Sequence, residues 1–191
     1  MKSDLKKIRK SMEKTLDAKR YEHTLGVEYT AAALAMKYNV SIGDARLAGL
    51  LHDCAKCMSD KKRLSICEKH NISMNEVERR NPFLLHPKVG SYLAMQEYGV
   101  RNPDVINAIL NHTTGRPGMS PLEKIIFIAD YIEPGRKQAP NLAEIRKLAF
   151  EDLDLALLKI LEDTLDYLHG GSGEIDPMTQ KTYEYYKALQ K

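Results

Sequence analysis

The stretch "AGLLHDCAKCM" (residues 48–58) ends an apolar run in His52 and Asp53, then adds a C-x-x-C of Cys54 and Cys57. Such groups can hold a borderline divalent cation, exchange a disulfide, or form no more than the polar end of a helix. Other polar residues sit in comparable surroundings. His23 begins an apolar face, His86 stands before Pro87 as a helix cap, and His112 ends "PDVINAILN". Asp130 interrupts the most apolar run of the chain, "KIIFIAD", where an unpaired carboxylate would cost several kcal/mol. Imidazoles and carboxylates brought together from several helices would suit iron, manganese or zinc, and the cation would offset the burial of Asp130. The competing reading of each histidine is a satisfied core or surface residue. That reading suffices for His70, which lies among charges and turn residues, and for His169, placed where a helix dipole favours a cation.

Helices must position these groups. Leu5, Ile8, Met12 and Leu16 recur at helical spacing, as do Val27, Ala31, Leu34 and Tyr38. Ser41 with Asp44 reads as a capping box opening the helix of Leu47, Leu50 and Leu51, which delivers His52 and Asp53 near its end. Helix starts recur where Pro87 follows His86, Pro103 follows Asn102, Pro121 follows Ser120 and Pro177 follows Asp176. Capping boxes are also expected at Ser120 with Glu123 and at Asn141 with Glu144, and stops at Gly99 and Gly170. "KIIFIAD" is the best strand candidate, but its capped start and its length from Pro121 to Ile132 favour a buried helix. The expectation is a compact all-α single domain over residues 1–191.

Composition narrows the function. A chain of 191 residues can bury a sizeable core. Lys+Arg 29 against Asp+Glu 26 gives a net charge of +3, too slight to indicate nucleic acid but suited to small anions. No apolar run approaches the roughly 20 residues of a membrane span, and "MKSDLKKIRK" lacks the apolar stretch of a signal peptide. The 3 cysteines, all between positions 54 and 67, point to a reducing cytoplasm rather than a disulfide framework. Without a βαβ context or a fourth thiol, the C-x-x-C reads as packing behind the helix.

The pattern of His23, then His52-Asp53, then Asp130 on an all-helical chain resembles the HD superfamily of metal-dependent phosphohydrolases. Within it, the chain is most similar to the symmetrical bis(5′-nucleosyl)-tetraphosphate hydrolases. The likeness rests on "RYEHTLGV", "GLLHDCAK", "HPKVGSYLA", "NHTTGRPGMSPLEKIIFIADYIEPGR" and "LDYL". It implies a helical bundle of HD-domain type, with a core over about residues 18–135 and C-terminal helices packed on it. It further implies cleavage of diadenosine tetraphosphate at its centre into two ADP. The resemblance makes His23, His52, Asp53 and Asp130 the metal ligands, with iron as the metal. It makes Asp53, His86 and His112 catalytic, the two histidines touching phosphate, protonating a leaving oxygen or holding a second metal. Phosphate and nucleotide contacts fall to Lys56, His86, His112, Thr113, Asp130 and Arg136, and to the loop Gly171, Ser172, Gly173, Glu174, Ile175 and Asp176. The partners implied are a nucleotide substrate and an ADP- or GDP-like product, with no nucleic acid and no membrane, and with room for a homodimer. The competing readings are another nucleotide pyrophosphohydrolase or phosphodiesterase of the superfamily, an ADP-sensing module, and a helical interaction protein with a structural metal.

Overall fold

Most helices of this chain start on a side chain that takes up a free backbone amide. Asp4, Asp17, Ser41, Ser59, Asn75, Asn102, Ser120, Asp152 and Asp176 all accept such amides. The computed structural model describes residues 4–171 and 173–190 and contains, among them, α-helices and one 3-10 turn but no strand. The helices are α1 (Leu5–Thr15), α2 (Ala18–Lys37), α3 (Ile42–Leu51), α4 (Asp60–Lys69) and α5 (Glu76–Arg80). After a 3-10 turn at Pro82–Leu85 follow α6 (His86–Gln96), α7 (Pro103–Leu110), α8 (Pro121–Ile132), α9 (Leu142–Leu148), α10 (Leu153–His169) and α11 (Pro177–Ala188).

The expected starts at Asn102, Ser120 and Asp176 are all made, and Ser120 with Glu123 forms the full reciprocal box. Three other expectations are corrected. At Ser41 only the forward half of the box forms, the Asp44 amide donating to the Ser41 hydroxyl. Asn141 is no cap; it has φ 51, and its amide donates to both oxygens of Asp163 on α10 instead. His86 is not a cap either but the first residue of α6, because the 3-10 turn at Pro82–Leu85 runs straight into that helix. It therefore lacks the free helix N-terminus that would attract an anion.

Helix α2 packs on α3 and α8, and α8 in turn contacts α7 and α10. The approach of α3 to α2 depends on Gly49, since a Cβ there would lie 2.9 Å from the Glu28 Cα. The run from Ile125 to Ala129 is buried all round within α8, as expected of a helix enclosed by neighbours. Its isoleucines pack with Leu34, Leu50, Leu51, Ile109 and Leu157 in one apolar cluster that extends from Ile8 to Tyr186. No helix among the described residues is long and apolar enough to cross a membrane. The ends of α3 and α7, the second turn of α2 and the end of α8 converge on one polar spot at the edge of that core.

Candidate metal centre

A helix leaves its last carbonyls without intrahelical partners. Two histidines of this chain use them. His52, just past α3, donates Nδ1–H to the Gly49 carbonyl at 2.7 Å, and His112, past α7, does the same to Ile109 at 2.7 Å. His86 repeats the bond across the 3-10 turn, to the Phe83 carbonyl at 2.8 Å. A carbonyl only accepts, so each Nδ1 carries a proton and each Nε2 is the nitrogen turned toward the cluster. In His23, on α2, Nδ1 lies 3.1 Å from a Glu133 carboxylate oxygen, which turns its Nε2 toward the cluster in the same way.

Those nitrogens face two carboxylates. His23 Nε2 lies 3.0 Å from Asp130 Oδ1 and 3.9 Å from Asp53 Oδ2, without the alignment of a hydrogen bond. His52 Nε2 is 3.4 Å from Asp53 Oδ2 and 4.0 Å from Asp130 Oδ1. The other oxygen of Asp53, Oδ1, faces His86 Nε2 at 3.3 Å and His112 Nε2 at 3.5 Å, and these two nitrogens are 3.3 Å apart. Asp53 thus stands between two imidazole pairs. His23 Nε2, His52 Nε2 and Asp53 Oδ1 are buried yet have no hydrogen-bond partner. Unpaired acceptors crowded together are costly, and a cation among them removes that cost. The donor set, imidazole nitrogen and carboxylate oxygen, is that of a divalent transition metal. Two trios lie close enough to hold such ions, His23 with His52 and Asp130, and His52 with Asp53 and His112.

Cations ring the cluster. Arg20 Nη1 donates to Asp53 Oδ2 at 2.8 Å, and Arg136 Nη2 donates to Asp130 Oδ1 at 3.1 Å and to its carbonyl at 2.9 Å. Lys56 Nζ sits 3.2 Å from His86 Nε2. Burial works against charge on His23, but the neighbouring carboxylates of Asp130 and Glu133 outweigh it and raise its pKa. Burial would also raise the carboxyls of Asp53 and Asp130, yet the surrounding histidines hold both well below the usual range. His86 is pushed down to about 4, chiefly by burial, and Lys56 is lowered for the same reason. At neutral pH His86 is therefore an acceptor or ligand, with Lys56 Nζ within hydrogen-bond distance of it.

Two cavities open on this spot. One of about 740 Å³ is lined by Lys19, Arg20, His23, Glu133, Arg136 and Lys137 among others. A smaller one of about 190 Å³ is lined by His112, Thr113, Asp130, Tyr131, Arg136 and Phe127 among others. Arg136 borders both, and its buried Nε has no partner.

The structure therefore brings together His23, His52, Asp53, Lys56, His86, His112, Asp130 and Arg136, with Thr113 at the edge. The glycine-rich loop is anchored at two of its side chains. Glu174 is bound by Arg80 and Asn81, while Asp176 caps α11 and accepts from Asn75. Gly171, Gly173 and Ile175 share that loop, and Ser172 lies outside the described residues. The C-x-x-C is not a pair. Cys54 is buried with its thiol toward the Gly90 carbonyl, whereas Cys57 is exposed and points to Asp17. Sequence reasoning missed Arg20 and Glu133. Arg20 lies one helical turn before His23 on α2, a face already marked, whereas Glu133 reads as part of a solvated Pro-Gly turn.

The HD domain pattern matches residues 20–135. The chain belongs to the HD-domain family. Relatives of this HD-domain chain include the symmetrical bis(5′-nucleosyl)-tetraphosphatase of Halalkalibacterium halodurans, 41% identical over 90% of this chain and 91% of that one. The protein of the same name from Bacillus subtilis is 39% identical over 87% and 88%, and that from Staphylococcus aureus 36% over 86% and 85%. A crystal structure from Clostridium acetobutylicum, described as a predicted HD superfamily hydrolase involved in NAD metabolism, superposes with a TM-score of 0.93. It is 43% identical and is covered over 97% of its length, against 96% of this chain.

Proposed function

We propose that this HD-domain chain is a metal-dependent hydrolase that cuts dinucleoside tetraphosphates, diadenosine tetraphosphate foremost, symmetrically into two ADP. The observation that carries the reading is the open cluster around Asp53, in which buried imidazole nitrogens and a carboxylate oxygen lack a hydrogen-bond partner and cations stand at the rim. A structural metal would be enclosed by its ligands, whereas this spot opens into two cavities. The substrate class follows the relatives named for that activity across nearly the whole chain.

His23, His52, Asp53 and Asp130 would hold the metal, with iron as the first choice and manganese or zinc as alternatives. When bound, a divalent cation activates water and neutralises charge on the phosphoryl group. Asp53, whose two oxygens face different partners, would orient the attacking water. His86 and His112 would hold a second ion or meet the phosphate. Lys56, beside His86, would supply the proton to the leaving ADP oxygen. Arg136, with its free Nε between the two cavities, would grip phosphate oxygens, and Thr113 would line the nucleotide's path. The chain would act as one domain in the cytoplasm on small nucleotides, alone or as a homodimer.

The test is chromatography of the products after anaerobic purification. ADP as the sole nucleotide product from diadenosine tetraphosphate is expected. AMP with ATP would overturn symmetrical cleavage, and uncleaved substrate with tightly bound ADP would favour a sensor.

A further inference from the structure

The histidines around Asp53 differ in one respect. His52, His86 and His112 each give their Nδ1 proton to the backbone carbonyl three residues back, a neutral acceptor. His23 cannot do so. It lies inside α2, where the carbonyls before it are taken up by the helix ladder, so its Nδ1 needs an acceptor from elsewhere. Glu133 provides one. Its carboxylate is buried, with Oε1 3.1 Å from His23 Nδ1 and Oε2 accepting the Gly135 amide.

The chain makes room for that carboxylate twice. A Cβ at Gly26, one turn after His23 on α2, would come within 2.6 Å of Glu133 Oε2. A Cβ at Gly135 would come within 2.9 Å of the same oxygen. The turn after α8 is also fastened from behind, because Arg146 donates to the carbonyls of Ile132, Glu133 and Arg136. One turn thus reaches two residues of the cluster, His23 through Glu133 and Asp130 through Arg136.

We propose that Glu133 is a positioning residue of the metal centre. Its carboxylate fixes the His23 tautomer that turns Nε2 toward Asp130 and Asp53, and makes His23 a stronger donor than the histidines held by neutral carbonyls. Gly26 and Gly135 are the seat that lets it do so. The proposal rests on the reading of this cluster as a metal centre and extends it to residues outside the ligand set.

The experiment is cobalt(II) titration against a chromophoric chelator for wild type, Glu133→Gln, Glu133→Ala and Gly26→Ala, with the cobalt absorption spectrum and the metal-free thermal midpoint of each. Glu133→Ala and Gly26→Ala are expected to weaken cobalt affinity by about 10- to 100-fold. Glu133→Gln keeps an acceptor but loses the charge, so it should weaken affinity less while still shifting the cobalt band. Wild-type affinity and spectrum in both Glu133 variants would overturn the proposal while leaving the centre intact. A lowered metal-free midpoint with unchanged affinity would reduce Glu133 to a packing residue and overturn it equally. A wild-type chain that takes up no cobalt would remove the centre itself, and the proposal with it.

Discussion

Helix α2 contributes to two buried polar clusters, one centred on His23 and one on Glu28, and they are built on opposite principles. Glu28 is fully enclosed and fully paired. Arg9 donates to its two oxygens at 2.8 and 2.7 Å, and Arg46 adds a third bond at 2.9 Å. This cluster ties α1, α2 and α3 together and has no acceptor left over for a ligand. The His23 cluster opens on two cavities and leaves buried imidazole nitrogens and a carboxylate oxygen without a hydrogen-bond partner in the protein. Burial alone therefore does not mark a site. The distinguishing sign is burial with unmet bonding capacity, since natural cores seldom tolerate it without a partner.

The comparison can be broken most sharply at Asp53. Asp53→Ala removes the carboxylate shared by both imidazole pairs, and turnover should fall by about 1,000-fold or more, read by initial rates on diadenosine tetraphosphate. Activity within tenfold of wild type would mean that the open cluster is scaffold after all.

Protonation provides the next test. The folded pKa of His86 is depressed from 6.5 to about 4, so the unfolded chain binds a proton first as pH falls. Its contribution is neutral above pH 6.5 and turns destabilising between 6.5 and about 4. In denaturant titrations of metal-free protein, wild type should lose about 3 kcal/mol relative to His86→Gln across that window. Lys56, Asp53 and His112 are the polar groups that face His86. Parallel pH curves would show that His86 is not held neutral.

Glu28→Gln addresses the closed cluster. It should cost about 2 kcal/mol of stability, less than a wholly buried pair because both arginines remain partly exposed. Metal content and turnover should stay at wild-type values, and a parallel loss of metal would erase the distinction between the clusters. The smallest effect is expected from Cys54→Ser with Cys57→Ser. Burial pushes the Cys54 thiol up to about 12, which leaves it unreactive, and Cys57 points the other way. Turnover within about twofold of wild type, with or without reductant, is expected; a redox-dependent rate would revive a cysteine pair.

The two clusters were unequally legible in the sequence. His52, Asp53 and Asp130 stood out because each ends or interrupts an apolar helix, a placement with a cost that asks for a partner. The helices followed from periodicity and caps, and the strand-like "KIIFIAD" resolved correctly through its length and its Ser120 start. Local rules failed where a distant residue competed. Asn141 makes no box because its backbone is left-handed, at φ 51, and its side chain is turned to Asp163 on another helix. His86 loses its cap position because the 3-10 turn before it continues into α6. The loop from Gly171 to Asp176 drew notice by its glycines, and what no local rule revealed is that Glu174 and Asp176 bind Arg80, Asn81, Asn75 and the start of α11. Glu133 was invisible for the opposite reason. A Pro-Gly turn reads as solvated, and only Gly26, set in mid-helix, hinted that something presses on α2 there.

Elemental analysis of anaerobically purified wild type beside His52→Ala and Glu28→Gln tests the central contrast most directly. The open cluster predicts about one to two transition-metal ions per chain in wild type and in Glu28→Gln, with a clear loss in His52→Ala. An active wild type without metal, or equal metal loss in both variants, would contradict it.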